Sequence, residues 1–260
     1  MTKLPKRLAV LFSAASLSLA AMAQTNMDSA KANGYFLGYD NNGKVIVAVS
    51  GTADYTLPAP TTPGLTSFDD LLTLATGFEL NGNGQIVAYE YLPREANFKI
   101  VDASEYQQAV NTYKPATRFN VNTKISKVAE TPRYISMRAF SDTKDQAGNR
   151  YDYSKMEMLN YDKATDSVID YFDVFNSSAE RKLREMMYPI AKKKYPLTVK
   201  SSDQIEIIQN FALTPEGVIF CFPESTIAPG NTGCPEILLT WDQLRRGQTL
   251  AEGAEVYIGK

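Results

Sequence analysis

The densest group of hard-cation ligands in the sequence is Asp162, Asp166, Asp170 and Asp173. Carboxylate oxygens at close spacing suit calcium. Their order lacks the glycine and closing glutamate of a calcium loop, so they read as residues flanking a turn and a strand. Asp40-Asn41-Asn42-Gly43 is likewise better read as a turn. No metal and no cofactor is expected. A second chemistry, glycoside hydrolysis, needs two carboxylates across a cleft with unlike proton affinities. Glu224 with Glu236 or Asp242 would be that pair. The chain has no histidine. This removes serine–histidine and cysteine–histidine triads, the usual zinc-hydrolase ligand sets and most neutral-pH proton shuttles.

Binding chemistry is better supplied. Residues 223–233 form a polar excursion between apolar runs, and its prolines would hold Glu224, Ser225, Thr226 and Asn231 outward. Trp241, the single tryptophan, would add a flat apolar surface. Polar groups beside an aromatic suit a sugar or a protein loop. The alternative is a capped sheet edge with Ile227 and Trp241 packed inward. Cys221 and Cys234 are the only cysteines, and an antiparallel pairing of the runs that carry them would bring them to one end of the loop. In an oxidising compartment that favours a disulfide; two separately buried thiols are the alternative.

These residues need elements to position them. Residues 35–39 and 44–49 flank Asp40-Asn41-Asn42-Gly43 as a hairpin, and residues 78–80 and 85–89 flank a second Asn-Gly turn. Ser67 caps a helix over 68–74. Asp102 and Glu105 have capping-box spacing before a helix whose inward face is Tyr106, Ala109, Val110 and Tyr113. Residues 134–140 and 151–161 read as strands. Ser177 and Glu180 give a second capping box, before a helix carrying Leu183, Met187 and Ile190 inward. Pro189 should kink it, and Lys192-Lys193-Lys194 read as a solvated helix end rather than a nucleic-acid patch. Residues 211–214, 218–222 and 236–240 read as strands, with Thr240 capping a terminal helix. The fold class is α+β. A small α+β region at 35–117 is followed by an α+β domain at 118–260, with an antiparallel sheet and packed helices.

Residues 1–23 have the form of an export signal, with Lys3, Lys6 and Arg7, an apolar core over 8–20, and Ala21-Met22-Ala23 before the cut. The core is shorter than the roughly 20 residues a bilayer crossing needs. Residues 24–34 are polar and read as a loose start. The mature chain would hold 24 basic against 29 acidic residues, a net charge of −5. That balance gives no broad attraction to nucleic acid or anionic membrane. The expected location is the periplasm or the extracellular space, with no transmembrane segment after cleavage.

Several spaced segments resemble a known family. They are residues 210–220 (Asn-Phe-Ala-Leu-Thr-Pro-Glu-Gly-Val-Ile-Phe), 223–230 (Pro-Glu-Ser-Thr-Ile-Ala-Pro-Gly) and 237–244 (Ile-Leu-Leu-Thr-Trp-Asp-Gln-Leu), with 159–166 and 171–175 upstream. Together they are similar to the C-terminal domain shared by the lysozyme-sensing anti-sigma factor RsiV and an exported peptidoglycan deacetylase, also known as domain of unknown function 3298. The resemblance covers about residues 120–246. It implies a cell-envelope setting and recognition of an envelope protein or a peptidoglycan-type glycan, without catalysis by this domain. The histidine-bearing turn usual in such proteins corresponds here to Gln146-Ala147-Gly148-Asn149, so any role for that histidine does not transfer. The expectation is a noncatalytic binding protein; a carboxylate-dependent glycan hydrolase and a structural envelope protein are the alternatives.

Overall fold

The computed structural model describes residues 27–58, 78–80, 86–89, 92, 94, 96–150, 154–206 and 209–258. The expected export signal and the helix over 68–74 lie outside them. The first hairpin joins β1 (Met27–Tyr39) to β2 (Val45–Pro58). Its turn is held by the Asp40 carboxylate, which accepts from the amides of Asn42 and Lys44, both at 2.9 Å. Gly43 takes φ +76° there, a conformation that L side chains rarely adopt. The strands run far beyond the expected apolar runs. Residues 27–34, expected to be loose, pair with 51–58, although they carry no aromatic or β-branched side chain.

A mixed sheet of seven strands follows. β5 (Asn97–Val101) pairs on one side of β1, and β2 pairs in parallel with β6 (Thr117–Glu130). Then come β7 (Tyr134–Asp145), β8 (Lys155–Asp162) and β9 (Ser167–Val168), each antiparallel to its neighbour. The order is β5-β1-β2-β6-β7-β8-β9. Parallel pairing of β2 with β6 requires a crossover, supplied in part by helix α1 (Ala103–Tyr113). The sheet is therefore continuous across the division expected near residue 117. β3 (Phe78–Leu80) and β4 (Ile86–Tyr89) form a separate pair, and Ile86 and Tyr89 pack on Phe36, Val47, Val49, Phe119 and Val121.

α1 lies on the opposite face of β1 and β2. Asp102 caps it, accepting from the Glu105 amide at 2.8 Å, and Tyr106, Ala109 and Val110 bury against Leu37, Val45 and Ala48. Tyr113, expected inward, is exposed, one turn past the edge of that contact.

The C-terminal layer lies on the same sheet face, over β7 and β8. It contains α2 (Tyr171–Val174), α3 (Ala179–Lys194), the antiparallel sheet β10 (Phe211–Leu213), β11 (Gly217–Cys221) and β12 (Glu236–Thr240), and α4 (Trp241–Arg246). Ala179, Leu183, Met187 and Ala191 recur every fourth residue on the buried stripe of α3 and meet Phe175, Phe211, Phe220 and Trp241 in one core. The capping box expected at Ser177 does not form. Ser178 is the N-cap, and Asn176 accepts from its amide and hydroxyl instead. Asn160 and Asn210 join the two layers. Asn160 accepts from the Leu213 amide and donates to the Phe211 carbonyl; Asn210 accepts from the Met158 amide and donates to the Met156 carbonyl.

Candidate functional site

The residues first suspected of chemistry are occupied in separate local tasks. Asp162 is buried, accepting from Arg133 at 2.6 Å, from the Ala164 amide at 2.8 Å and from the Tyr257 hydroxyl at 3.4 Å. Asp170 and Asp173 form the reciprocal capping box of α2, and Asp166 is exposed at φ +54°. Among the described residues, no group of three or more His, Cys, Asp or Glu side chains is placed to hold a metal ion. Glu224 is buried under its loop, paired with Arg150 and accepting from the Ser154 amide at 2.9 Å. Glu236 pairs with Arg138 at 2.5 Å, and Asp242 sits exposed in the first turn of α4.

The disulfide expectation is overturned. Cys221 and Cys234 are free thiols whose sulfurs do not reach bonding distance. The ladder explains this: Cys221 ends β11 opposite Glu236, so Cys234 lies two residues beyond the last pair. Its sulfur lies 3.6 Å from the Ser154 carbonyl. The neighbouring Cys234 thiol and burial push the Cys221 thiol up, while the neighbouring Cys221 thiol holds the Cys234 thiol down.

The surface expected from Trp241 is also corrected. Trp241 is 4% exposed, its ring in the core and its Nε1 donating to the Thr214 carbonyl at 3.0 Å. Ile227 is buried too, so the inward-packed alternative describes both side chains. Thr240 and Gln243 close a capping box that fixes the start of α4 and turns the indole inward. Of the five binding candidates, Ser225, Thr226 and Asn231 are exposed, while Glu224 is buried under the loop and Trp241 is buried at the opposite end of the small sheet. The loop is stiff. Ser225 holds φ +66°, the Thr226 hydroxyl donates to the Pro223 carbonyl at 2.7 Å, and the Ile227 carbonyl accepts from the Thr198 amide at 2.9 Å.

Arg150 connects this loop to a surface that the sequence reading missed. Strand register places Tyr35, Ser50, Asn120, Lys144 and Arg150 side by side across five successive chain segments. The next row on the same face is Asn33, Thr52, Asn122 and Asp142, and the third carries Asp54, Lys124, Phe140 and Met156. Asn33, Thr52, Asp54, Asn120, Lys124 and Lys144 are exposed; Tyr35, Ser50, Asn122 and Asp142 are half-buried. On one side the row of Leu37 and Ala48 disappears under α1. On the other, Met158 packs under Ala212 and Cys221 of the small sheet. Between the two covers lies an open polar floor. It extends about 13 Å along β6 and about 14 Å from β1 to β7, at standard strand rise and spacing.

The floor is preorganised. Ser50 donates to the Asn120 side-chain oxygen, Thr52 donates to that of Asn122 at 2.9 Å, and Lys144 pairs with Asp142 at 3.0 Å. With both asparagine oxygens accepting, both amide –NH2 groups remain as donors, beside hydroxyl lone pairs that can accept. Tyr35 borders the floor with its ring 5.2 Å from that of Tyr106 on α1. At the other border, Arg150 reaches the buried Glu224. The signal in the sequence was the period-two alternation Ser50-Gly51-Thr52-Ala53-Asp54 and Asn120-Val121-Asn122, with polar side chains on one face.

Comparison with known proteins identifies part of the chain. No curated protein matches it. A member of the DUF3298 family from Bacteroides fragilis shares the fold at a TM-score of 0.56 and 13% identity, covering 90% of this chain and 97% of that one. A DUF3298 family protein from Pseudomonas aeruginosa superposes at a TM-score of 0.57 and 12% identity, covering 92% of this chain and 100% of the other. At residues 164–242, which contain α2, α3, the small sheet and the 223–233 loop, the chain matches the family described as protein of unknown function (DUF3298).

Proposed function

We propose that this is an exported, noncatalytic recognition module of the cell envelope, and that it takes a peptidoglycan-type glycan on the polar floor. The unbroken row from Tyr35 to Arg150 carries this reading. Hydroxyl, amide and paired charged groups in a fixed array suit the hydroxyls and acetamido groups of an amino sugar, and Tyr35 offers part of a ring to a sugar face. A fixed array loses little conformational freedom on binding, which leaves more of the contact energy as affinity. The resemblance to the RsiV and deacetylase domains supports an envelope setting. The noncatalytic reading is supported by the state of the suspected carboxylates, since Glu224 and Glu236 each face their own arginine rather than each other.

The test is calorimetric titration of the purified protein with soluble peptidoglycan fragments, with a lysozyme-type protein as the competing ligand class. Saturable glycan binding weakened about tenfold by Asn120→Ala or Thr52→Ala, with the circular dichroism spectrum unchanged, is the expected result. Binding of the lysozyme-type protein alone, insensitive to both substitutions, would move the function to another surface. Turnover of the fragments would replace recognition with catalysis.

A further inference from the structure

The end of α3 carries charge that the rest of the molecule does not answer. Several surface cations have an acidic partner: Arg181 with Glu185, Arg184 with Glu180, Arg245 with Glu255, Arg138 with Glu236. Lys192, Lys193, Lys194 and Lys200 form no ion pair among the described residues. The backbone brings Lys200 to this helix end, where its carbonyl accepts from the Tyr188 hydroxyl at 2.6 Å. Two of the lysines lie against aromatic rings. Lys192 lies over the Tyr188 ring at 6.0 Å, and Lys194 lies over the Tyr195 ring at 5.1 Å while donating to the Glu236 carbonyl at 3.0 Å. Beside them lies a shallow groove of about 540 Å³, lined by Pro189, Ile190, Lys193 and Lys194. Its floor is apolar and its rim cationic.

We infer that this groove docks an acidic protein segment, seating one aliphatic side chain on Pro189 and Ile190 and carboxylates against Lys193 and Lys194. The chemistry selects against other anions. An extended polyanion would gain from the lysines but meet the acidic remainder of the molecule, which is net negative over the whole sequence. It would also leave the apolar floor unused. A short peptide with carboxylates flanking an aliphatic residue matches both parts, in the way that a few anchor residues dominate protein interfaces. This surface does not depend on the polar floor of the sheet, so either assignment can fail without the other.

The experiment is fluorescence anisotropy of the purified protein at low salt. The probes are a labelled peptide with glutamates on both sides of a central leucine, the same peptide with serine for leucine, and polyglutamate. The leucine peptide should bind saturably, about tenfold or more tighter than the serine peptide. Lys193→Glu should abolish the binding and Lys193→Ala should weaken it, while Thr52→Ala leaves it unchanged. Lys193 is exposed, so both variants should fold, as circular dichroism would verify. Equal binding of polyglutamate, indifference to Lys193→Glu, or no binding of the leucine peptide would each overturn the assignment.

Discussion

At the scale of single residues, the side chains that most attract attention in the sequence work as supports, and inconspicuous ones carry the surface. Glu224, Trp241 and Asp162 were marked by type, yet each is buried and satisfied within the protein. Ser50, Thr52, Asn120 and Asn122 are ordinary residues made notable only by cross-strand register. Asn160 shows how much one polar side chain can hold. It is 3% exposed and accepts from the Ser136 hydroxyl at 2.7 Å and the Leu213 amide at 2.8 Å, while donating to the Phe211 carbonyl at 2.7 Å. Asn160→Ala strands a buried amide and a buried carbonyl of β10 as well as a hydroxyl. A loss of about 2–4 kcal/mol is expected, since each buried group left without a partner costs about 1–3 kcal/mol and local relaxation recovers part of it. Urea denaturation checks this, and a loss below about 1 kcal/mol would mean that β10 does not need this tether.

At the scale of elements, what the sequence could show was set by how local the signal is. The turn at Asp40–Lys44, the Asp102 cap, the Thr240 cap and the three strands of the small sheet each depend on a few adjacent residues, and all were readable. The first half of β1 was not, because residues 27–34 carry no aromatic or β-branched side chain and become a strand by pairing with β2. The parallel partnership of β2 with β6 was equally hidden, since it joins residues about 70 positions apart. The polar floor exists only after that pairing and could not be assembled from either strand alone. Gly217 marks a similar tertiary demand in the small sheet. A Cβ there would lie 2.1 Å from the Leu239 carbonyl oxygen and 2.7 Å from the Thr240 Cα, both backbone atoms that cannot swing aside. Gly217→Ala must therefore push β11 from β12 at the end of the strand that leads into α4. A cost of about 3 kcal/mol, at the upper end of overpacking penalties, is expected in the same denaturation assay. An unchanged midpoint would mean that the two strands do not approach this closely.

At the scale of the whole molecule, one sheet carries two separate covers on one face, and the buried phenols of the C-terminal cover and the sheet beneath it tie its stability to alkaline pH. Burial pushes the Tyr171 phenol up to about 12, with Glu180 adding to the shift and Arg184 opposing it. Burial also raises Tyr134 and Tyr257, the latter further by Asp162 and Asp173. In all three the folded chain favours the neutral phenol, whereas the unfolded chain releases the proton near the ordinary value of 10. The unfolded state thus binds fewer protons in this window, and stability falls as pH rises. The contribution is fully present below about pH 10 and is lost progressively as pH rises through about 12. Tyrosinate absorbance recorded together with near-ultraviolet circular dichroism tests this. The Tyr134, Tyr171 and Tyr257 phenols should ionise only in a cooperative step above pH 10, as the tertiary signal disappears. Substituting Tyr171 by Phe should remove part of this alkaline loss without changing acid stability. Ionisation of all the phenols in a single step near pH 10, with the tertiary signal retained throughout, would show that the core does not hold them neutral.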